Sequence, residues 1–137
     1  IYALSMLCVG FAEEVIFRGL LYRAMCRRNK TAAMIVSSLT FGVGHLVNLF
    51  NGSGETAFST LLQVCYAVAV GFLFVLLFER TGSLLACIAT HGVLNLLSVF
   101  ADRTALTPQR EIMVSASLVV LAAGYAMYLI LTDKQSG

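Results

Sequence analysis

The sequence predicts an all-α fold, a polytopic transmembrane bundle of about five spanning helices. Of its 137 residues, 59% are hydrophobic and only 12% are charged, whereas a soluble domain carries about 25% charged residues. The apolar residues form five segments, each near the roughly 20 residues that cross a hydrocarbon core as a helix. Because no water reaches the backbone there, helices are the favoured structure. The segments are 1–25, 31–50, 56–78, 83–101 and 111–131.

Short polar stretches separate these segments and mark the ends of the predicted helices. CRRNK follows the first segment, NGSGE the second and ERTGS the third. ADRTALTPQRE follows the fourth, and the tail TDKQSG follows the fifth. No repeat of fixed period and no second domain interrupts this series, so we interpret residues 1–137 as a single transmembrane domain.

The basic residues are distributed unequally between the two sides of the predicted bundle. If the segments alternate in direction, one side holds six basic residues and the other holds two. The six are Arg23, Arg27, Arg28, Lys30, Arg80 and Lys134; the two are Arg103 and Arg110. The positive-inside rule then places the basic loops 23–30 and 79–83 in the cytoplasm, where they would contact anionic lipid.

Short loops favour a multi-pass protein of a bacterial plasma membrane. A formal net charge of +2 is too small to indicate nucleic acid as a partner. Membrane lipid is the partner that the composition predicts.

The stretch EEVIFR places three charged residues inside the first apolar segment. A charged side chain at mid-membrane costs about 2.5–3.5 kcal/mol on insertion scales, so such groups are usually paired and functional. Glu14 and Arg18 are four residues apart and can form an ion pair on one helix face. Glu13 and Arg18 are five apart and point in different directions. The spacing therefore predicts a neutralised Glu14 and a Glu13 that is available for proton chemistry.

Two further segments each carry a histidine with a partner one helical turn away. FGVGH places Phe41 and His45 at i and i+4, with glycines that allow another helix to come close. HGVLN places His91 and Asn95 at the same spacing. At about 1.5 Å rise per residue, these side chains lie near the middle of the bilayer, which permits convergence on one interior site. Asn48 and Gln63 are predicted to form interhelical hydrogen bonds.

A carboxylate, two imidazoles and an amide together suffice for peptide hydrolysis without a covalent intermediate. A carboxylate and a histidine can hold a water molecule and remove its proton. A second histidine and an amide N–H can donate hydrogen bonds to the oxygen of the tetrahedral intermediate.

Three motifs in order give the chain a resemblance to a known family. EEVIFR fits EExxxR, FGVGH fits FxxxH and HGVLN fits HxxxN, each on a separate predicted helix. The pattern resembles the CPBP intramembrane proteases, which include the eukaryotic type II CAAX prenyl endopeptidases and bacterial homologues linked to bacteriocin self-immunity. Members generally have further helices before EExxxR, so the resemblance implies that residues 1–137 are a fragment lacking N-terminal helices.

The resemblance implies a glutamate-dependent intramembrane endopeptidase that needs no metal or other cofactor. Glu13 would activate water with His45 as its partner, and His91 and Asn95 would stabilise the oxyanion. Glu14 and Arg18 match the remaining motif positions, and their spacing assigns them to positioning and charge balance. The implied partner is a peptide or protein substrate, either prenylated or a leader-bearing precursor.

Three alternatives stay open at this stage. The chain could bind a peptide or bacteriocin for self-immunity without cleaving it. Two histidines and two glutamates could also bind zinc, which would make the chain a metal-dependent membrane protease, although no HExxH motif is present. A transporter with a buried proton relay would use similar residues, but no inverted repeat supports it.

Overall fold

The computed structural model describes residues 1–52, 54–99 and 107–133. All regular secondary structure in these ranges is helical, which confirms the predicted all-α fold. Five helices lie in these ranges. Helix α1 spans Tyr2–Glu14 and continues as a π-helix over Val15–Tyr22 and an α-helical turn over Arg23–Cys26, and α2 spans Lys30–Gly44 and continues as a 3₁₀-helix over His45–Leu49. The others are α3 (Ala57–Thr81), α4 (Leu84–Val99) and α5 (Pro108–Asp133). Residues 101–106 of the predicted break 101–111, with Arg103, and residues 134–137 of the predicted tail, with Lys134, lie outside the described residues.

Three of the described helical stretches are long and apolar enough to cross a membrane. They are Lys30–Leu49, Ala57–Thr81 and Pro108–Thr132, and the apolar helix Leu84–Ser98 is shorter. Many of their large apolar side chains point outward, for example Val120 and Leu121 of α5, which are each 69% exposed. An apolar exterior of this kind is the surface that a bilayer covers, so the chain is a membrane protein.

The polar breaks between the helices supply the residues that cap the helix termini. Asn29 of CRRNK accepts a hydrogen bond from the backbone N–H of Ala32 at 2.9 Å and so caps α2. Thr56 accepts one from the N–H of Ser59 at 3.0 Å and caps α3. Gly82 ends α3 at a φ of 63°, a left-handed conformation that favours glycine.

The basic loops 23–30 and 79–83 lie at the same end of the bundle, as predicted. Lys30 forms an ion pair with Glu79, and the Arg23 guanidinium lies 5.0 Å from the centre of the Phe78 ring. Arg80 donates to the carbonyl oxygen of Leu129 near the end of α5, at 3.1 Å. These contacts join the ends of α1, α2, α3 and α5.

Helix α3 is the centre of the packing, and α1 lies against α4. One cluster of buried side chains surrounds the end with the basic loops and comprises Tyr22, Ala33, Val75, Phe78 and Cys87. A second cluster, Phe41, Ala67 and Phe74, lies deeper in the bundle, with Phe17 packed against it. This second cluster forms the apolar wall of the site described below.

We expect Gly42→Ala to destabilise the fold by about 1–3 kcal/mol, the usual cost of overpacking. A Cβ at Gly42 would lie 2.3 Å from Cγ2 of Val68 and 3.0 Å from the backbone oxygen of Val64, because α2 and α3 touch there. Gly124→Ala is the matched control, since nothing lies within 4 Å of its added Cβ. Thermal unfolding of both variants in detergent measures the difference, and equal midpoints would contradict the close α2–α3 contact.

Candidate active site

The two adjacent carboxylates of α1 lie in different environments, as the spacing predicted. Glu14 and Arg18 are both fully buried, and Nη1 of Arg18 donates to Oε1 of Glu14 at 3.0 Å. Glu13 takes no part in this ion pair, and its side chain is 27% exposed. One carboxylate is therefore neutralised inside the bundle, while its neighbour is accessible.

The buried guanidinium of Arg18 also contacts two other helices. Its Nη2 donates to the carbonyl oxygen of Gly71 on α3 at 2.8 Å. Its Cζ lies 4.4 Å from the centre of the Phe41 ring and 5.2 Å from that of Phe74. Aromatic faces attract a desolvated cation, so Arg18 joins α1 to α2 and α3. A Cβ at Gly71 would lie 2.9 Å from Cδ1 of Phe41, and only glycine leaves this space open.

His91 of α4 is the imidazole that lies against both carboxylates. Its Nδ1 is 2.9 Å from Oε1 of Glu14, and its Nε2 is 3.5 Å from Oε2 of Glu13. Its ring stacks on Phe74, with centroids 5.0 Å apart and planes inclined by 30°. The ring is thus fixed by polar contacts at both nitrogens and by an aromatic face.

His45 lies where α2 changes from an α-helix to a 3₁₀-helix. Its Nδ1 lies 3.1 Å from the carbonyl oxygen of Phe41. A carbonyl oxygen only accepts, so Nδ1 carries the hydrogen and Nε2 of the neutral ring is a hydrogen-bond acceptor. The Phe41 ring lies edge-on to both imidazoles, with centroid distances of 5.4 Å to His45 and 5.6 Å to His91. The two histidines therefore flank one aromatic ring.

Asn95 holds α4 close to α1. Its Nδ2 donates to the carbonyl oxygen of Met6 at 3.0 Å. Gly10 allows the approach, because a Cβ there would lie 3.2 Å from Nδ2 of Asn95 and 3.4 Å from Cγ of His91. An amide nitrogen has two N–H donors, so this bond leaves one donor for other use.

The structure brings the predicted residues of three helices together, but not in the expected pairs. The residue in contact with Glu13 is His91, whereas the contacts of His45 within the described residues are with Phe41. A carboxylate and a histidine that share a water need not touch, so the Glu13–His45 pair stays a prediction. The prediction that Asn48 and Gln63 form interhelical hydrogen bonds is confirmed, since Nδ2 of Asn48 donates to Oε1 of Gln63 at 2.9 Å.

Sequence reasoning missed three features of the site. It did not predict the π-helix over Val15–Tyr22, which begins directly after Glu14 and is a geometry often found at functional sites. It did not predict the contact between Glu14 and His91, or the roles of Phe74 and Gly71. Phe74 and Gly71 lie in an apolar run without a motif, so the only signal was a glycine inside a long predicted helix.

The described ranges contain no set of side chains that matches the metal-dependent alternative. Within them, no group of three or more His, Cys, Asp or Glu side chains is placed to hold a metal ion. Oε1 of Glu14 is already engaged by Arg18 and His91. The absence of a cofactor stays a prediction.

The comparison with known families agrees with the resemblance that the motifs indicate. The sequence model of the family described as type II CAAX prenyl endopeptidase Rce1-like matches residues 1–97, which include α1 to α3, most of α4 and all seven motif residues named above. No curated protein and no solved structure shows significant similarity to the chain. The chain thus belongs to the Rce1-like family of type II CAAX prenyl endopeptidases, membrane proteins of the peptide hydrolase class.

Proposed function

We propose that this chain is an intramembrane endopeptidase that hydrolyses a peptide bond with water activated by Glu13. The observation that carries the proposal is the difference between the two neighbouring carboxylates. Glu14 is buried and paired with Arg18, whereas Glu13 is partly exposed and lies 3.5 Å from an imidazole nitrogen. A general base must be accessible to water and near a group that can receive its proton, and Glu13 meets both conditions.

The remaining motif residues fit complementary roles around this base. His45 is the second residue that binds the water molecule. Its Nδ1 bonds to the Phe41 carbonyl oxygen, so Nε2 of the neutral ring can accept a hydrogen bond from water. His91 and Asn95 are the donors to the oxyanion of the tetrahedral intermediate. Glu14 and Arg18 position His91 and keep the buried charge balanced.

The proposed substrate is a peptide or protein with a lipid-soluble portion, such as a prenylated C-terminal sequence. The family name indicates this substrate class, and an apolar bundle is accessible to such a chain from the bilayer.

We also propose that loops 23–30 and 79–83 face the cytoplasm of a bacterial plasma membrane, because they form one basic end of the bundle.

We expect His45→Ala to lower kcat by about 10²–10⁴-fold, the contribution of a general acid or base, with little effect on folding. The half-buried ring makes no interhelical hydrogen bond in the described residues, so its loss leaves the packing largely intact. The measurement is cleavage of a fluorogenic peptide ending in a farnesylated CAAX sequence by the whole protein in detergent.

Thr40→Ala on the same helix is the control for His45→Ala. Thr40 is exposed, and among the described residues its hydroxyl bonds to the backbone of its own helix. The Thr40→Ala variant should therefore cleave the peptide at the wild-type rate. Unchanged turnover in His45→Ala would remove His45 from the reaction, and a wild-type protein that binds the peptide without cleaving it would favour the immunity-type binding function.

A further inference from the structure

Glu14, His91 and Glu13 form a continuous polar chain across α1 and α4. Oε1 of Glu14 accepts from Arg18 at 3.0 Å and lies 2.9 Å from Nδ1 of His91, and Nε2 of His91 lies 3.5 Å from Oε2 of Glu13. An imidazole held between two carboxylates, one buried and one partly exposed, is a geometry that can move a proton.

The buried ion pair decides which nitrogen of His91 carries hydrogen. An arginine does not lose its proton in proteins, so the fully buried Arg18 requires an ionised partner. An ionised carboxylate only accepts hydrogen bonds. Nδ1 of His91 must therefore be the donor to Glu14, which leaves Nε2 of the neutral ring as a proton acceptor beside Glu13.

We infer that His91 is the proton relay of the reaction and that Glu14 is the positioning residue that prepares it. This inference rests on the proposed function and adds to the oxyanion role of His91. A neutral ring with hydrogen on Nδ1 cannot donate from Nε2. It becomes a donor there only after it has received a proton, which is when charge develops on the substrate oxygen.

The relay accounts for each proton of the reaction. Glu13 removes a proton from water as the water oxygen bonds to the scissile carbonyl carbon. That proton passes from Oε2 of Glu13 to Nε2 of His91, and Glu14 stabilises the resulting imidazolium. The imidazolium then donates it to the leaving nitrogen, the C–N bond breaks, and the products are a carboxylic acid and an amine.

The first test measures the tautomer of His91 by ¹⁵N NMR of the whole protein, labelled at histidine and held in nanodiscs at alkaline pH. The signal is assigned by its loss in His91→Gln. We expect hydrogen on Nδ1 in the wild type, and a shift towards Nε2 in the double variant Glu14→Leu/Arg18→Leu, which removes both buried charges and the acceptor. His45 should keep hydrogen on Nδ1 in both proteins. Hydrogen on Nε2 in the wild type, or no change in the double variant, overturns the inference.

The second test separates a relay from a simple donor with His91→Gln. The glutamine amide can donate a hydrogen bond but cannot receive a proton. With the farnesylated peptide, whose leaving amine needs a proton, we expect kcat to fall by about 10²–10⁴-fold. With a farnesylcysteine nitrophenyl ester, whose leaving group departs as an anion, the fall should be at least tenfold smaller.

The two tests distinguish failure of the relay from failure of the proposed function. An equal fall of kcat on peptide and ester overturns the relay while hydrolysis stands. A wild-type protein that cleaves neither substrate overturns the proposed function and the relay with it, whereas the NMR result still decides the positioning by Glu14.

Discussion

Glu13→Gln is expected to lower kcat by about 10²–10⁴-fold while the protein stays folded. The amide keeps the shape of the side chain but cannot take a proton from water, and general base catalysis is worth a factor of this size. Folding should be little affected, because Glu13 lies outside the buried ion pair and its side chain is 27% exposed. The measurement is kcat for the farnesylated fluorogenic peptide, with thermal unfolding of the same preparation.

Ser117→Ala is a suitable control for Glu13→Gln. Ser117 is exposed on α5, and within the part of the chain that the structure describes its hydroxyl donates to the Met113 carbonyl oxygen of its own helix. Both variants should unfold near the wild-type temperature, and only Glu13→Gln should lose turnover. Wild-type turnover in Glu13→Gln would show that another group activates water and would falsify the proposed mechanism.

Much of the fold follows from hydropathy alone. The predicted segments 31–50 and 56–78 correspond to the helical stretches Lys30–Leu49 and Ala57–Thr81, because the length of an apolar run is set by the thickness of the membrane. Local spacing also predicted the ion pair between Glu14 and Arg18, since four residues bring two side chains onto one face of a helix.

Spacing within one helix carries no information on contacts between helices. The sequence predicted His45 as the partner of Glu13, whereas the imidazole in contact with Glu13 is that of His91. That contact depends on how α4 lies against α1. Gly10 leaves room for the side chains of His91 and Asn95, and Asn95 bonds to the carbonyl oxygen of Met6. The sequence of Val15–Tyr22 also gives no sign of the π-helix that follows Glu14.

We expect Arg18→Leu to destabilise the protein by about 3–5 kcal/mol, the usual cost of removing one partner from a buried ion pair. Both side chains are fully buried, so the variant leaves the Glu14 carboxylate in an apolar interior without its cation. The variant also removes the donor to the Gly71 carbonyl oxygen and the cation from the Phe41 ring. The measurement is the free energy of unfolding in mixed micelles.

The double variant Glu14→Leu/Arg18→Leu should be more stable than Arg18→Leu alone. Replacing both charges by apolar side chains removes the uncompensated carboxylate, and such replacements are often neutral for stability. Together with Glu14→Leu, the four proteins form a double-mutant cycle that isolates the coupling between the two residues. If the destabilisations of the single variants simply add, the two charges do not stabilise each other. If the double variant is as stable as the wild type but has lost turnover, the ion pair is kept for the position of His91 rather than for stability.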